Sequence, residues 1–261
     1  EGAKNGILKM ERQESGNLAI FSADCYLFPM KWLVSCCPLI FLAFFACDAL
    51  VAPAENNTLK TNNLTIPEIS DSAQWAAYGI RITPDKRAYD RVQTDIRRQR
   101  MQLRDAVRRT SIGIDSAGIV FTEVLINQII PYWYGTPWSF EGHTSVPGKG
   151  SIACGYFIST TLQHAGVQIN RYRLAQQAPQ DEARAIAMGD SVTVVHGRWV
   201  GKALPELRNT LQDGLFFIGL SGSHVGYLLK RQGKFFLLHS NYTYPAEVRI
   251  EPAGEQSVLN N

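Results

Sequence analysis

From residue 214 to residue 250 the chain reads as four short apolar segments separated by turns, and this pattern limits the fold more than any other feature. Residues 214–220 (GLFFIGL), 223–230 (SHVGYLLK), 234–240 (KFFLLHS) and 247–250 (EVRI) are too short for independent helices and rich in aromatic or β-branched residues. Arg231-Gln232-Gly233 supplies a hairpin turn between the second and third segments. Segments this close in sequence can only pair antiparallel, so the C-terminal third is predicted to be a meander. Helical periods fill the chain before it. Helices first and a compact antiparallel sheet after them define an α+β domain.

The helical part begins at Thr83-Pro84-Asp85, a cap, a proline for the first helical position and an acid for the first turn. Tyr89, Val92, Ile96, Leu103 and Val107 then fall on one face. The opposite face of this 85–109 helix carries Arg91, Arg97, Arg98, Arg100, Arg104, Arg108 and Arg109, with Asp90, Asp95 and Asp105 interspersed. Such a face is a solvated one with internal ion pairs. The formal net charge of the whole chain is only +3, which does not call for a nucleic-acid partner. A second helix is predicted over 116–130 with Ile119, Val120, Val124, Leu125 and Ile129 inward. Short helices follow at 180–188 and at 204–211, the latter with Pro205 in its first turn, and a strand at 192–195.

The N-terminal part reads differently. Residues 1–29 show neither helical nor strand period, and Met30 is the expected true start, with 1–29 an over-extended N-terminus. Lys31, the apolar run WLVSCCPLIFLAFFAC and Ala52-Pro53-Ala54 make residues 30–54 a signal peptide, too short in its apolar part to span a bilayer comfortably. The alternative is a lipid anchor on Cys47, after Phe44-Phe45-Ala46. Residues 55–70 form a polar linker, 71–130 a helical region, 131–251 the chemistry-bearing domain and 252–261 a tail. The expected location is secreted or periplasmic, with no stable membrane span once the signal is removed. Four of the five cysteines precede residue 48, so the mature chain keeps one thiol and no internal disulfide.

That thiol is Cys154. A Gly/Pro-rich loop leads to it, and Gly155-Tyr156-Phe157-Ile158, Leu162 and Ala165-Gly166 follow, a helix with the cysteine in its first turn and a glycine just past its end. The helix dipole and the free first-turn amides favour thiolate. His224 opens one predicted strand and His239 closes the next, across the hairpin, where antiparallel pairing brings them together on one face. With the Cys154 helix packed on that face, His224 takes the thiol proton and His239 holds the far ring nitrogen and fixes its tautomer. The same three side chains could bind zinc, but no CxxC or HxxxH spacing accompanies them, and no metal or other cofactor is expected. His143 reads as an exposed loop residue and His164 as a cation at a helix C-terminus.

Residues 131–240 resemble the NlpC-type cell-wall cysteine peptidases, a papain-like superfamily. The matching stretches are Pro131-Tyr132-Trp133-Tyr134-Gly135, Cys154-Gly155-Tyr156-Phe157, Asp213-Gly214-Leu215-Phe216-Phe217 and His224-Val225-Gly226-Tyr227, with His239 at the third polar position. The resemblance implies a papain-like core in which the nucleophile helix packs on a small antiparallel sheet. It also implies a Cys154–His224–His239 triad and a role for Tyr132 beside the thiol. One departure stands out. Where the family has Asp-Cys-Ser, with the flanking pair gripping the free amino end of the substrate, this chain has Ala153-Cys154-Gly155. Glu141 and Asp181 are the nearest acids in sequence on either side. The aromatic Trp133, Tyr134, Trp138 and Tyr156 could line an apolar wall for a sugar face or an acyl chain.

The leading expectation is therefore a secreted cysteine hydrolase of amide bonds in peptidoglycan stem peptides. Two alternatives stay open: a thiol acyltransferase or lipid-directed hydrolase on the same fold, and a catalytically silent wall-binding module.

Overall fold

The computed structural model describes residues 11–12, 24–29, 75–82, 85–109, 114–196, 200–220 and 223–254. The signal-peptide and linker readings, 30–54 and 55–70, fall outside the described residues. The architecture is α+β: helices packed on an antiparallel sheet. The meander predicted from the C-terminal pattern is present as β4 (Gly214–Leu220), β5 (His224–Arg231), β6 (Lys234–Ser240) and β7 (Val248–Pro252). The last strand runs later than predicted, which brings Glu251 into the sheet.

Three further strands extend the sheet beyond β4: β1 (Glu11–Arg12), β2 (Asp24–Pro29) and β3 (Thr193–His196). The order is β1-β3-β2-β4-β5-β6-β7. β2 pairs antiparallel with β3 and with β4, with Leu27 opposite Ile218. This departs from the sequence reading, which found no strand period in residues 1–29. The reason lies in the position of the strand. An inner strand reads as a continuous apolar run, here Cys25-Tyr26-Leu27-Phe28, and a run without alternation carries no period-two signal.

Alternation along β4–β7 separates two cores. Leu215, Phe217, Val225, Tyr227, Leu229, Phe236, Leu238, Val248 and Ile250 share the larger core with the helices. Phe216, Ile218, Leu228, Phe235 and Leu237 face the other way, against Leu204 and Leu207 of α7 (Val200–Thr210). This helix starts earlier than predicted, so Pro205 lies inside it rather than in its first turn. Lys230 extends under its end, and the ammonium donates to the carbonyls of Arg208 and Leu211 at 2.6 Å each, closing helix acceptors that have no partner of their own.

The larger core is built by α1 (Tyr89–Arg109), α2 (Ile114–Glu123), a π-helical turn (Val124–Ile129), α3 (Ile130–Trp133), α4 (Cys154–Ala165), α5 (Arg171–Ala175) and α6 (Pro179–Ala187). Asp85 caps a 3-10 turn, Lys86–Ala88, that leads into α1. Of the predicted inward face, Tyr89 and Ile96 are buried. The 116–130 prediction is corrected in one respect: Ile119 and Val120 are exposed, whereas Val124, Leu125, Ile126, Ile129 and Ile130 are buried. The π turn adds residues per turn and rotates the apolar stripe, so a single 3.6-residue period misassigns the first half. α5 was not predicted; its start is Asn170, whose carbonyl side chain accepts from the amides of Tyr172 and Arg173.

Tyr89 ties the helices together behind α4. Trp133 Nε1–H donates to its hydroxyl at 3.1 Å, and the same hydroxyl is 2.8 Å from His164 Nδ1. His164 is thus not the cation that its place near a helix end suggested: burial, with Arg171 and Arg97 adding to it, lowers its pKa to about 4. A cation does stand at that helix end. Gly166, in the left-handed conformation, leaves no room for a side chain against the guanidinium of Arg100 from α1. Part of the arginine face therefore packs rather than being solvated throughout, while Arg98 pairs with Asp95 at 3.0 Å as predicted. Tyr89→Phe leaves two buried ring nitrogens without their common partner. It is expected to lower the unfolding free energy by about 2 kcal/mol in urea titration.

Candidate active site

The loop 135–153 sets the start of α4 against the end of the sheet. Ile152 N–H donates to Pro137 O at 2.9 Å and Ala153 N–H to Gly142 O at 2.7 Å. The Ser240 hydroxyl at the end of β6 donates to Ile152 O at 2.7 Å. Gly142 permits this closeness, because a Cβ there would lie 2.6 Å from Ile152 N. Arg171, itself buried, holds the loop from the other side through His143 O at 2.7 Å and Thr160 Oγ1 at 2.7 Å. The result is that Cys154 begins its helix two residues after a bond to the neighbour of His239.

The N-cap of α4 is Ala153, whose side chain accepts nothing, so the first-turn amides are left for other partners. The thiol is part-buried and donates to Ser223 O at 3.7 Å. The Val225 amide also interacts with the sulfur. Cys154 therefore lies against the backbone on both sides of His224. The body of α4, by contrast, packs on the face of Tyr227, where Thr161 Oγ1 and Tyr227 Oη are 2.7 Å apart. His224 and His239 follow the alternation of Leu228 and Leu237, on the opposite face. The expectation that the helix covers the face bearing the histidines is corrected to this extent. Only its N-terminus reaches them, at the place where β5 and β6 stop pairing after Tyr227–Leu238.

The two histidines meet as predicted. His224 Nε2 and His239 Nδ1 are 2.7 Å apart and the rings are nearly perpendicular at 81°. Gly226 makes this possible, since a side chain there would press on His239 Cβ at 3.1 Å. His239 is fully buried and His224 is 7% exposed. Burial, reinforced by the neighbouring His239, lowers the pKa of His224 to about 3. Burial also raises the pKa of Cys154; the amides of Val225, Gly155 and Cys154 oppose this and the carboxyl of Glu182 adds to it. The helix start favours thiolate, but desolvation acts against it more strongly here.

The other predicted site residues divide. Trp138 lies 6.3 Å from Tyr242, whose ring is 5.3 Å from His224, so this aromatic wall does border the base. Phe140 and Tyr244 are 83% and 97% exposed on the same two loops, which are joined by Trp138 N–H to Ala246 O. Trp133 is corrected: it is fully buried in the larger core, edge-on to Phe157, and lines nothing. Tyr134 packs part-buried at the margin of that core. Tyr132 points its ring at Tyr89, 5.3 Å away, and no hydrogen bond joins it to Cys154 among the described residues. Tyr156 sits with His143, Tyr172 and Arg171 in a separate cluster, its hydroxyl accepting from Gln176. Gly155 is covered rather than open: a Cβ would stand 2.5 Å from Ala175 O, so α5 occupies the place of a family serine side chain.

Glu141 is exposed and Asp181 pairs with Arg184 at 3.1 Å, so neither nearby acid serves the thiol. The carboxyl that does influence it is Glu182, 1% exposed on α6, with its pKa raised well above normal by burial and with Oε1 unpartnered among the described residues. Nothing in the sequence singles it out beyond one acid on a short helix. Glu251 is the second residue that sequence reading missed: its Oε1 lies 3.4 Å from His239 Nε2. Among the described residues no group of three or more His, Cys, Asp or Glu side chains is arranged to hold a metal ion. Comparison of the chain with family models, with curated proteins and with solved structures finds no match.

Two outcomes follow from this geometry. Gly155→Ser, which recreates part of the family triplet, should destabilise the fold by about 1–3 kcal/mol, because the new side chain meets backbone. Acid should also destabilise the protein. His224 and His164 have depressed folded pKa values, so their contribution is complete above about 6.5 and is lost as pH falls toward 4. Glu182, with a raised pKa, acts in the opposite sense over the upper part of this window. Two groups against one leave a net loss on the order of 1 kcal/mol per pH unit below 6.5, measurable as a falling urea midpoint. Glu182→Gln removes the opposing group and should steepen the loss.

Proposed function

We propose that this protein is an exported cysteine hydrolase with a papain-like core that cleaves amide bonds in peptidoglycan stem peptides. The observation that carries the reading is the 2.7 Å His224–His239 pair, with a helix-start thiol against the backbone of Ser223 and Val225 on either side of His224. Cysteine catalysis needs a nucleophile, a base and a group to orient the base, and these are the three that the sequence motifs match. In the proposed cycle the neutral thiol gives its proton to His224 as sulfur attacks the scissile carbonyl. First-turn amides of α4 stabilise the oxyanion. The imidazolium then protonates the departing amine, leaving a thioester. A water deprotonated by His224 attacks the thioester carbonyl and releases the acid, with the proton returned to sulfur.

Neutral resting groups suit this cycle. A thiol held protonated by burial reacts when substrate closes the site and the oxyanion amides are engaged, rather than with any passing electrophile. The reading keeps export through residues 30–54, whose cleavage would remove β1 and β2 from the sheet and leave β4–β7 with the His224–His239 pair. Among the described residues no helix is long and apolar enough to cross a membrane. The exposed rim of Phe140, Tyr242 and Tyr244 supports a second reading, a lipid-directed hydrolase or acyltransferase, in which the rim receives an acyl chain.

The test is turnover of purified peptidoglycan against a panel of phospholipid and acyl-ester substrates. Cys154→Ala should abolish activity and leave the fold intact. His224→Ala should reduce kcat/KM by about 100-fold or more and His239→Ala by about tenfold. Activity retained in Cys154→Ala would refute both enzymatic readings, and product from the lipid panel alone would select the second. A muropeptide with its sugar attached should be cut at least as well as the free stem peptide, since neither Ala153 nor the covered Gly155 can bind a free amine.

A further inference from the structure

Glu251 stands at the far end of the histidine pair, and its position bears on whether His224 can act as a base. Two neutral imidazoles in contact share one hydrogen, and it can sit on either ring. If His239 Nδ1 carries it, His224 Nε2 is the acceptor and the single hydrogen of His224 is on Nδ1. His224 then has no lone pair left for the thiol. If His224 Nε2 carries it, Nδ1 of His224 is bare and can take the proton from sulfur. The direction of one hydrogen bond thus decides between an active and an inactive site.

Resting on the reading of Cys154 as nucleophile and His224 as its base, we propose that Glu251 is a positioning residue that fixes this direction. Glu251 Oε1 is 3.4 Å from His239 Nε2, and neither atom has a hydrogen-bond partner among the described residues although both are buried. The contact is looser than the 2.7 Å bond between the rings, and it is electrostatic in kind. A carboxylate offers only acceptor positions, so the nitrogen facing it carries the hydrogen. His239 Nδ1 is then bare and accepts from His224 Nε2–H. In the other tautomer the bare Nε2 would face the buried Glu251 oxygen acceptor against acceptor, with neither satisfied, which drives His239 toward the tautomer that satisfies Glu251.

The strand register produces this arrangement. Arg249 is opposite His239 and Glu251 opposite Leu237, so Glu251 is diagonal to His239 on the same face. The remaining titratable or charged groups around the pair are Cys154 at the start of α4, Glu182 on α6 through its field at Cys154, Tyr242 after β6, and Arg249. A fixed direction of donation makes the resting site ready for one proton transfer only, from sulfur to His224 Nδ1.

The test reads tautomers directly, by long-range nitrogen–proton correlation on the isotope-labelled full chain at neutral pH. In the wild type both His224 and His239 should be protonated at Nε2. In Glu251→Leu, His224 should shift to the Nδ1–H tautomer, and iodoacetamide alkylation of Cys154 at pH 8 should slow by about tenfold or more. Glu251→Gln, whose amide oxygen still accepts, should keep most of the wild-type signature. Finding His239 protonated at Nδ1 in the wild type would overturn the proposal, and this measurement needs no variant that could misfold. So would a folded Glu251→Leu with both tautomers and the alkylation rate unchanged. Because tautomers are read without turnover, these outcomes are separate from failure of the hydrolase reading, which would show as activity retained in Cys154→Ala.

Discussion

Where β5 and β6 cease to pair, the work of holding the sheet together passes from backbone to side chains, and everything at the candidate site depends on that handover. Tyr227–Leu238 is the last backbone pair. Beyond it the strands are linked by the His224–His239 bond, and β6 is linked onward to the α4 loop by Ser240 and Ile152. Near this end of β5 the thiol at the start of α4 contacts the carbonyl of Ser223 and the amide of Val225. Gly226 and Gly142 are the two places where the chain dispenses with a side chain so that these segments can approach.

The same closeness sets the electrostatics. The surroundings disfavour charge on either the thiol or the His224 ring. His239 repels a proton on His224, and Glu182 opposes a negative sulfur. A helix start stabilises a thiolate by an amount that desolvation exceeds here. Both shifts favour the uncharged forms. Position in the helix told where the thiol is. It did not tell how dry its surroundings are.

That distinction marks what the sequence made legible. Local patterns were readable: the meander from its aromatic runs and Gly233 turn, α4 from its glycine stop, the histidine pair from its placement across a hairpin. Properties that arise from layers meeting were not. Trp133 carries no sign in its own neighbourhood that Tyr89, remote in sequence, will take its N–H and bury it. Glu182 looks like any acid in the first turn of a helix until α6 is laid on the sheet. Glu251 came into range only because β7 runs on past Ile250. Asp24–Pro29 was lost for the opposite reason, being too uniformly apolar to show a period. The Ile119–Val120 error came from the π turn, which shifts helical phase by an amount no fixed period contains.

The departure at Ala153 and Gly155 acquires a physical meaning from the fold. Read as sequence, and against the cysteine-peptidase motif that residues 131–240 resemble, an acid and a hydroxyl beside the cysteine are absent. In the structure Gly155 is a packing requirement, because the carbonyl of Ala175 lies where a side chain would go. α5 is therefore seated against the start of the Cys154 helix at Gly155. The segment that closes this side also delivers Glu182, whose pKa burial raises and whose field acts at the sulfur. The opposite side of His224 stays open through Trp138, Tyr242 and the exposed Phe140 and Tyr244. Under the proposed hydrolase reading, this rim would receive a substrate whose amino end is already bound in an amide and which has a flat apolar or sugar face to lay on it.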